Sequence, residues 1–220
     1  MTKKELEARV AELETKIRHA EDVLEIMNLQ SLYNYYLELN YCERVPDLFA
    51  QKYPDVRCEI CDGGVYEGLE SIKRLWKMMG EGQTRTRGFL GTIMISTPHI
   101  QVSKDGKKAK AMWHAFGPNS VPATVFPADH NHQDQLTAIW FLGKYNNEYV
   151  KEDGKWKFCS LQVVVFLRTP HEHGWLKQPE ARQFALPTAI CKPDRPSTIY
   201  KPYHPHGFNV LLPEPPEPMD

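Results

Sequence analysis

The feature that most restricts how this chain can fold is a change of hydrophobic period part-way along it. Over residues 4–40 the pattern is helical, and Leu6, Val10, Leu13, Ile17, Ala20 and Leu24 recur at alternating steps of four and three. That is an a/d seam with charges at the other positions, and one helix cannot bury it alone. It calls for a partner chain, a return onto the body, or a solvated arm. From residue 89 the period is two, in the segments 89–102, 109–116, 135–150 and 155–168. Two of the links contain Asp-Gly, Asp105-Gly106 and Asp153-Gly154, a hairpin signal. Helices followed by an antiparallel meander specify an α+β chain, with its helices on one face of a curved sheet.

Between these two regimes the sequence predicts a short helix at 45–51, a strand at 57–61, a turn at Asp62-Gly63-Gly64 and a helix at 68–79. A long loop carrying three prolines follows at 117–134. Beyond Thr169 the chain is rich in proline, histidine and glycine, as a surface tail would be. The organisation expected is a helical arm at 1–21, a folded domain at 22–170 and an irregular extension at 171–220.

Charge and composition narrow the function. Lys and Arg number 27 against 28 Asp and Glu, with no basic surplus for nucleic acid. No apolar run approaches the ~20 residues of a membrane span, and the charged N-terminus is unlike a secretory signal. Five scattered cysteines read as free thiols of a cytoplasmic protein. Cys58 and Cys61 lie in a predicted strand, where positions three apart face opposite ways, so they form neither a zinc knuckle nor a redox pair. The bias that remains is aromatic: ten Tyr, nine Phe and five Trp, with nine His. Such residues suit a lined pocket or a large core.

Several stretches stand in an order that resembles a known family. Tyr33 is followed five residues later by Glu38; Val45 to Ala50 makes a short helix; Gly68-Leu69-Glu70-Ser71-Ile72 opens another. Thr97-Pro98 with the strand ending at Trp113, and Gly143 to Phe158, resemble two long hairpins. Over roughly residues 22–170 the chain resembles the SnoaL-like, scytalone-dehydratase-like branch of the nuclear-transport-factor-2-like superfamily. The resemblance implies a cone-shaped α+β barrel with an apolar pocket at its mouth. It also implies acid/base chemistry without a cofactor, on small aromatic or polycyclic compounds, in a homodimer or homotrimer. One departure stands out. Relatives of the dehydratase type often carry a histidine four residues before the Thr-Pro pair, and here that position is Ile93.

Candidate catalytic residues are therefore Tyr33, Glu38 and His114. Tyr33 lies on the inward helical stripe and matches the family's tyrosine; a buried phenol can polarise a carbonyl or protonate a leaving hydroxyl, or it can simply be a core residue. Glu38 matches the acid position but lies about 140° around the helix from Tyr33, so it reaches the same cavity only from the helix end. There the helix dipole and partial burial would suit it as a base; a solvated carboxylate is the other reading. His114 is the replacement chosen for the missing strand histidine, on the face opposite Trp113. Substrate-lining candidates are Tyr36, Asn40, Trp113, Trp140 and Gln162, with His130 and His132 from the loop between the strands. No metal is expected, because the His-x-His pairs lie in loop or tail rather than on strands. No phosphate loop or nucleotide fingerprint is present, so no cofactor is expected either. The chain reads as a lyase of small aromatic or alicyclic molecules. The rival reading is a non-catalytic binding or assembly subunit of the same fold, such as the small subunit of a ring-hydroxylating dioxygenase.

Overall fold

The computed structural model describes residues 1–84, 87–122, 136–177 and 191–220. Its first element is one uninterrupted helix, α1 (Lys3–Glu38), of 36 residues, so the arm and the first helix of the body are a single rod. A capping box starts it: Thr2 Oγ1 accepts from Glu5 N and Glu5 Oε2 accepts from Thr2 N. Spaced pairs such as Arg9–Glu12 and Lys16–Glu12 support the exposed stretch. Asn40, at φ 56, ends the helical path. Only beyond Glu21 does α1 bury side chains, namely Asp22, Ile26, Gln30, Tyr33 and Asn34.

A 3-10 turn (Cys42–Leu48) leads to β1 (Arg57–Ile60), β2 (Val65–Glu67) and α2 (Gly68–Thr84). The strands β3 (Leu90–Gly91), β4 (Met94–Val102), β5 (Lys108–Pro122), β6 (Leu136–Glu152) and β7 (Lys155–Pro170) follow, then the single turn α3 (Gly174–Lys177). They form a seven-stranded sheet in the order β2-β1-β7-β6-β5-β3, with β4 also on β5. Every pairing is antiparallel except β1 with β7. The 89–102 strand is split in two and shifts register between Ser96 and His99, where Thr97 takes φ 49. Strand β5 continues through Gly117 to Pro122, beyond its expected end at 116, because β6 supplies partners throughout. The β6–β7 ladder shifts register at Leu142/Gly143 and Glu148/Tyr149, and such irregularities bend long strands.

The register fixes the faces. Trp113, Ala111 and Ala109 on β5 pair with Tyr145, Asn147 and Tyr149 on β6, and all six point at the helices. Three alanines in this region of β5 (109, 111 and 115) leave room for the β6 rings. Tyr33 meets Trp76, Tyr145 and Phe158 edge-on, at centroid distances of 5.7, 5.7 and 5.9 Å. The outer face is partly covered by the chain's own tail. Glu59 accepts from Thr198 N (2.6 Å), Thr198 Oγ1 (2.7 Å) and Gln162 Nε2 (2.9 Å). Further on, Lys144 Nζ donates to the carbonyls of Leu211 and Pro213, and Tyr203 N donates to Phe166 O. No described helix is long and apolar enough to cross a membrane.

Candidate active site

Inside the cone, the buried face of α1 and the inner face of β6 exchange hydrogen bonds along a polar seam. Gln30 Nε2 donates to Asn34 Oδ1 (2.9 Å), and Asn147 Nδ2 donates to Gln30 Oε1 (2.7 Å). Tyr149 Oη also donates to Gln30 Oε1 (3.3 Å). Asn34 Nδ2 donates both to Tyr145 Oη (3.3 Å) and to Ile93 O (3.2 Å). Tyr33 stands edge-on to Tyr145 at 5.7 Å, and their contact raises the phenol of Tyr33 and lowers that of Tyr145. The Tyr145 oxygen thus accepts from Asn34. Two turns nearer the arm, Asp22 Oδ1 accepts from Lys151 Nζ (2.5 Å) and Trp156 Nε1 (2.8 Å). Ile93, four residues before the Thr97-Pro98 pair, takes part through its backbone carbonyl.

Burial raises the phenols of Tyr33, Tyr145 and Tyr149 above the ordinary tyrosine value, because a phenolate would be stranded in low dielectric. In Tyr145 the hydrogen bond from Asn34 and the contact with Tyr33 pull the other way. All three remain neutral donors at physiological pH. Near Asn34 the seam approaches the partly buried Ile93. Glu38 stands one turn beyond Asn34 on the same side of α1, and it is exposed.

An open cleft of about 530 Å³ lies between the 3-10 turn and α2, lined by residues including Asn40, Glu43, Lys73, Trp76, Lys77 and Glu81. Trp76 is common to both places, since its ring packs against Tyr33.

The model of the SnoaL-like domain matches residues 18–162, about two thirds of the chain. The chain belongs to the SnoaL-like domain family. No curated protein matches it. Among solved structures, it is similar to a scytalone-dehydratase-like protein of Novosphingobium aromaticivorans (18% identity, TM-score 0.55, covering 77% of this chain and 95% of that one). It is also similar to a type 2 hexachlorocyclohexane dehydrochlorinase, LinA (17%, 0.56, 78% and 98%). A third is an NTF2-like protein with a cystatin-like fold, also from N. aromaticivorans (14%, 0.50, 70% and 87%). The bent sheet closed over its helices is the cone of the NTF2-like fold.

The SnoaL-like domain brings some predicted residues together and separates others. Tyr33 and Trp113 point inward, at 1% and 2% exposure. Tyr36 is half-buried on the flank of α1, edge-on to Tyr41, and Asn40 lines the outer cleft rather than the interior. The burial expected of Glu38 is absent: α1 ends just beyond it and leaves it exposed. His114 pairs with Lys144 on the outer face, bonded to Thr97 Oγ1, because alternation with the inward Trp113 turns it away. Trp140 is on that outer face too, stacked on Phe116 at 5.5 Å. Gln162 is also outside, where it bonds Asn146, Glu59 and Thr198. These three side chains stand outside the interior and cannot line it. His130 and His132 lie outside the described residues. The sequence reading missed Asn34, Gln30, Tyr145, Asn147 and Tyr149. The spacing Tyr-x-Asn-x-Tyr on one strand face was the available signal.

Proposed function

We propose that this SnoaL-like domain is a cofactor-independent lyase acting on a small, largely uncharged aromatic or alicyclic compound. The observation that carries the reading is the buried Tyr145 hydroxyl, whose oxygen accepts from Asn34 beside the Tyr33 ring, on the polar seam between α1 and β6. Accepting a hydrogen bond makes a phenol a stronger donor, and low dielectric magnifies what it donates. A substrate carbonyl at the Asn34 end of the seam takes that hydrogen bond, which strengthens as the α-proton leaves and negative charge grows on oxygen. Glu38, on the same side of α1, is the base for that proton. Collapse of the enolate expels a β-hydroxyl as water, with the proton returned from the carboxyl.

The test is turnover of a panel of β-hydroxy carbonyl compounds, aromatic and alicyclic, read by absorbance of the conjugated product. Tyr145→Phe, Tyr33→Phe and Glu38→Gln should each lower kcat/KM at least tenfold while circular dichroism stays unchanged. Full activity in all three variants removes the assignment. One observation favours a non-catalytic binding or assembly role: Gln30, Asn34, Tyr149 and Asn147 already find partners within the protein. Tight ligand binding without turnover across the panel would decide for that role.

A further inference from the structure

The exposed half of α1 carries an unsatisfied seam. Leu6, Val10, Leu13, Ile17 and Leu24 are 44–59% exposed, and no described residue before Asp22 is buried. The helix therefore projects about 28 Å past the body with its apolar stripe in water. Two further facts define what fits that stripe. At ~100° per residue, the seam centres about 150° around α1 from the residues buried in the body, so a second helix lying along it meets no part of the cone. The positions beside the seam are also sorted by charge. Taking Val10, Ile17 and Leu24 as a and Leu6, Leu13 and Ala20 as d, the g positions are Arg9, Lys16 and Val23, the last packed against the body, and the e positions are Glu7, Glu14 and Glu21.

We infer that the arm of α1 forms a parallel, in-register, two-stranded coiled coil with a second copy of this chain. In that arrangement Arg9 faces the partner's Glu14 and Lys16 faces the partner's Glu21, and the two-fold axis repeats both attractions. An antiparallel pair would instead set g against g and e against e, bringing base to base and acid to acid. The a positions Val10 and Ile17 are β-branched and the d positions Leu6 and Leu13 are leucine, the combination that favours two strands over three or four. Arg9 and Lys16 both bond Glu12 on their own helix, at a c position, and in the dimer each exchanges that exposed pair for the partner's glutamate. A seam of about three heptads is marginal as a free peptide, but here the body has already nucleated the helix. The two cones then stand side by side at the same end of the coil, facing outward.

The full chain should sediment across the micromolar range at twice its 25.5 kDa. Leu13→Glu/Ile17→Glu, two substitutions at exposed positions, should weaken the dimer at least tenfold without changing the near-ultraviolet dichroism of the body. Leu6→Cys, oxidised, should link two chains through identical positions, whereas an antiparallel pair would bring residue 6 near residue 24. Arg9→Glu/Lys16→Glu should be monomeric alone and dimeric when mixed with Glu14→Lys/Glu21→Lys. A monomeric or trimeric parent, a dimer indifferent to the seam substitutions, or failure of Leu6→Cys to cross-link would each overturn the inference.

Discussion

Replacing Tyr145 by Phe removes one oxygen and leaves a ring of nearly the same shape, so the packing around it, including the edge-on contact with Tyr33, stays filled. What changes is hydrogen bonding. Asn34 keeps its bond to Ile93 O, but the Tyr33 hydroxyl, in a side chain only 1% exposed, loses the Tyr145 oxygen that its phenol responds to. An orphaned buried donor costs about 1–3 kcal/mol, more than a well-made neutral hydrogen bond contributes. Tyr33→Phe, by contrast, leaves Tyr145 still bonded by Asn34 and orphans nothing, so it should cost about 1 kcal/mol. The double variant removes donor and acceptor together. It should be no less stable than Tyr145→Phe alone, giving a coupling of about 1 kcal/mol or more. Urea unfolding at neutral pH under reducing conditions, followed by tryptophan fluorescence, measures all four proteins; about 2 kcal/mol corresponds to about 4–8 °C in Tm for a chain of this size. If Tyr33→Phe proves as costly as Tyr145→Phe, or the two add, Tyr33 is not the donor and the interior is not closed to water.

Two further outcomes follow from burial and backbone contact. Burial raises the thiols of Cys42 and Cys159 from 9.0 to about 11 and that of Cys61 to about 12. Their folded-state values are raised, so their contribution is complete below about pH 8 and drains away as the unfolded thiols ionise. At about pH 10 each should have lost about 1.4 kcal/mol, roughly 4 together. Urea midpoints should fall accordingly between neutral pH and about pH 10, and much less in a variant with all three thiols replaced by alanine; a flat profile in the parent refutes this. Separately, a Cβ on Gly143 would sit 2.3 Å from Val164 O, whereas one on Gly154, at φ +77, meets nothing within 4 Å. Gly143→Ala should therefore cost about 2–3 kcal/mol, and Gly154→Ala about 1–2 from backbone strain alone. Equal losses in thermal melts would show that β6 and β7 can part at Gly143.

The elements were legible wherever one face is apolar and the other is not. The a/d seam, Ile72 and Leu75 in α2, and the two Asp-Gly turns marked helix and hairpin correctly, and the order of elements led to the cone. The interior of the site was less legible because β6 is polar on both sides. Tyr145, Asn147 and Tyr149 alternate with Lys144, Asn146 and Glu148, so periodicity has nothing with which to tell inside from outside. The same ambiguity hid which of Trp113 and His114 points inward, a matter decided by pairing with a strand some thirty residues away. Gln162 looked like pocket lining because its partners, Glu59 and Thr198, come from β1 and the tail, far away in sequence. Asn34 was passed over beside Tyr33, although its side chain is what ties α1 to Tyr145.

The tail follows β7 in the chain, so during synthesis the sheet is complete before its cover arrives. In that interval the outer face must remain in water without sticking to its neighbours. Where the tail bonds it, its side chains meet that need, since Glu59, Gln162, Asn146, Lys144 and Glu148 are polar, three of them ending up buried, while Trp140 and Phe116 elsewhere on the face cover each other by stacking. The groups that hold the finished tail are thus also those that keep the bare sheet wetted until it comes, and an apolar substitution such as Gln162→Leu would burden the nascent chain more than the folded one.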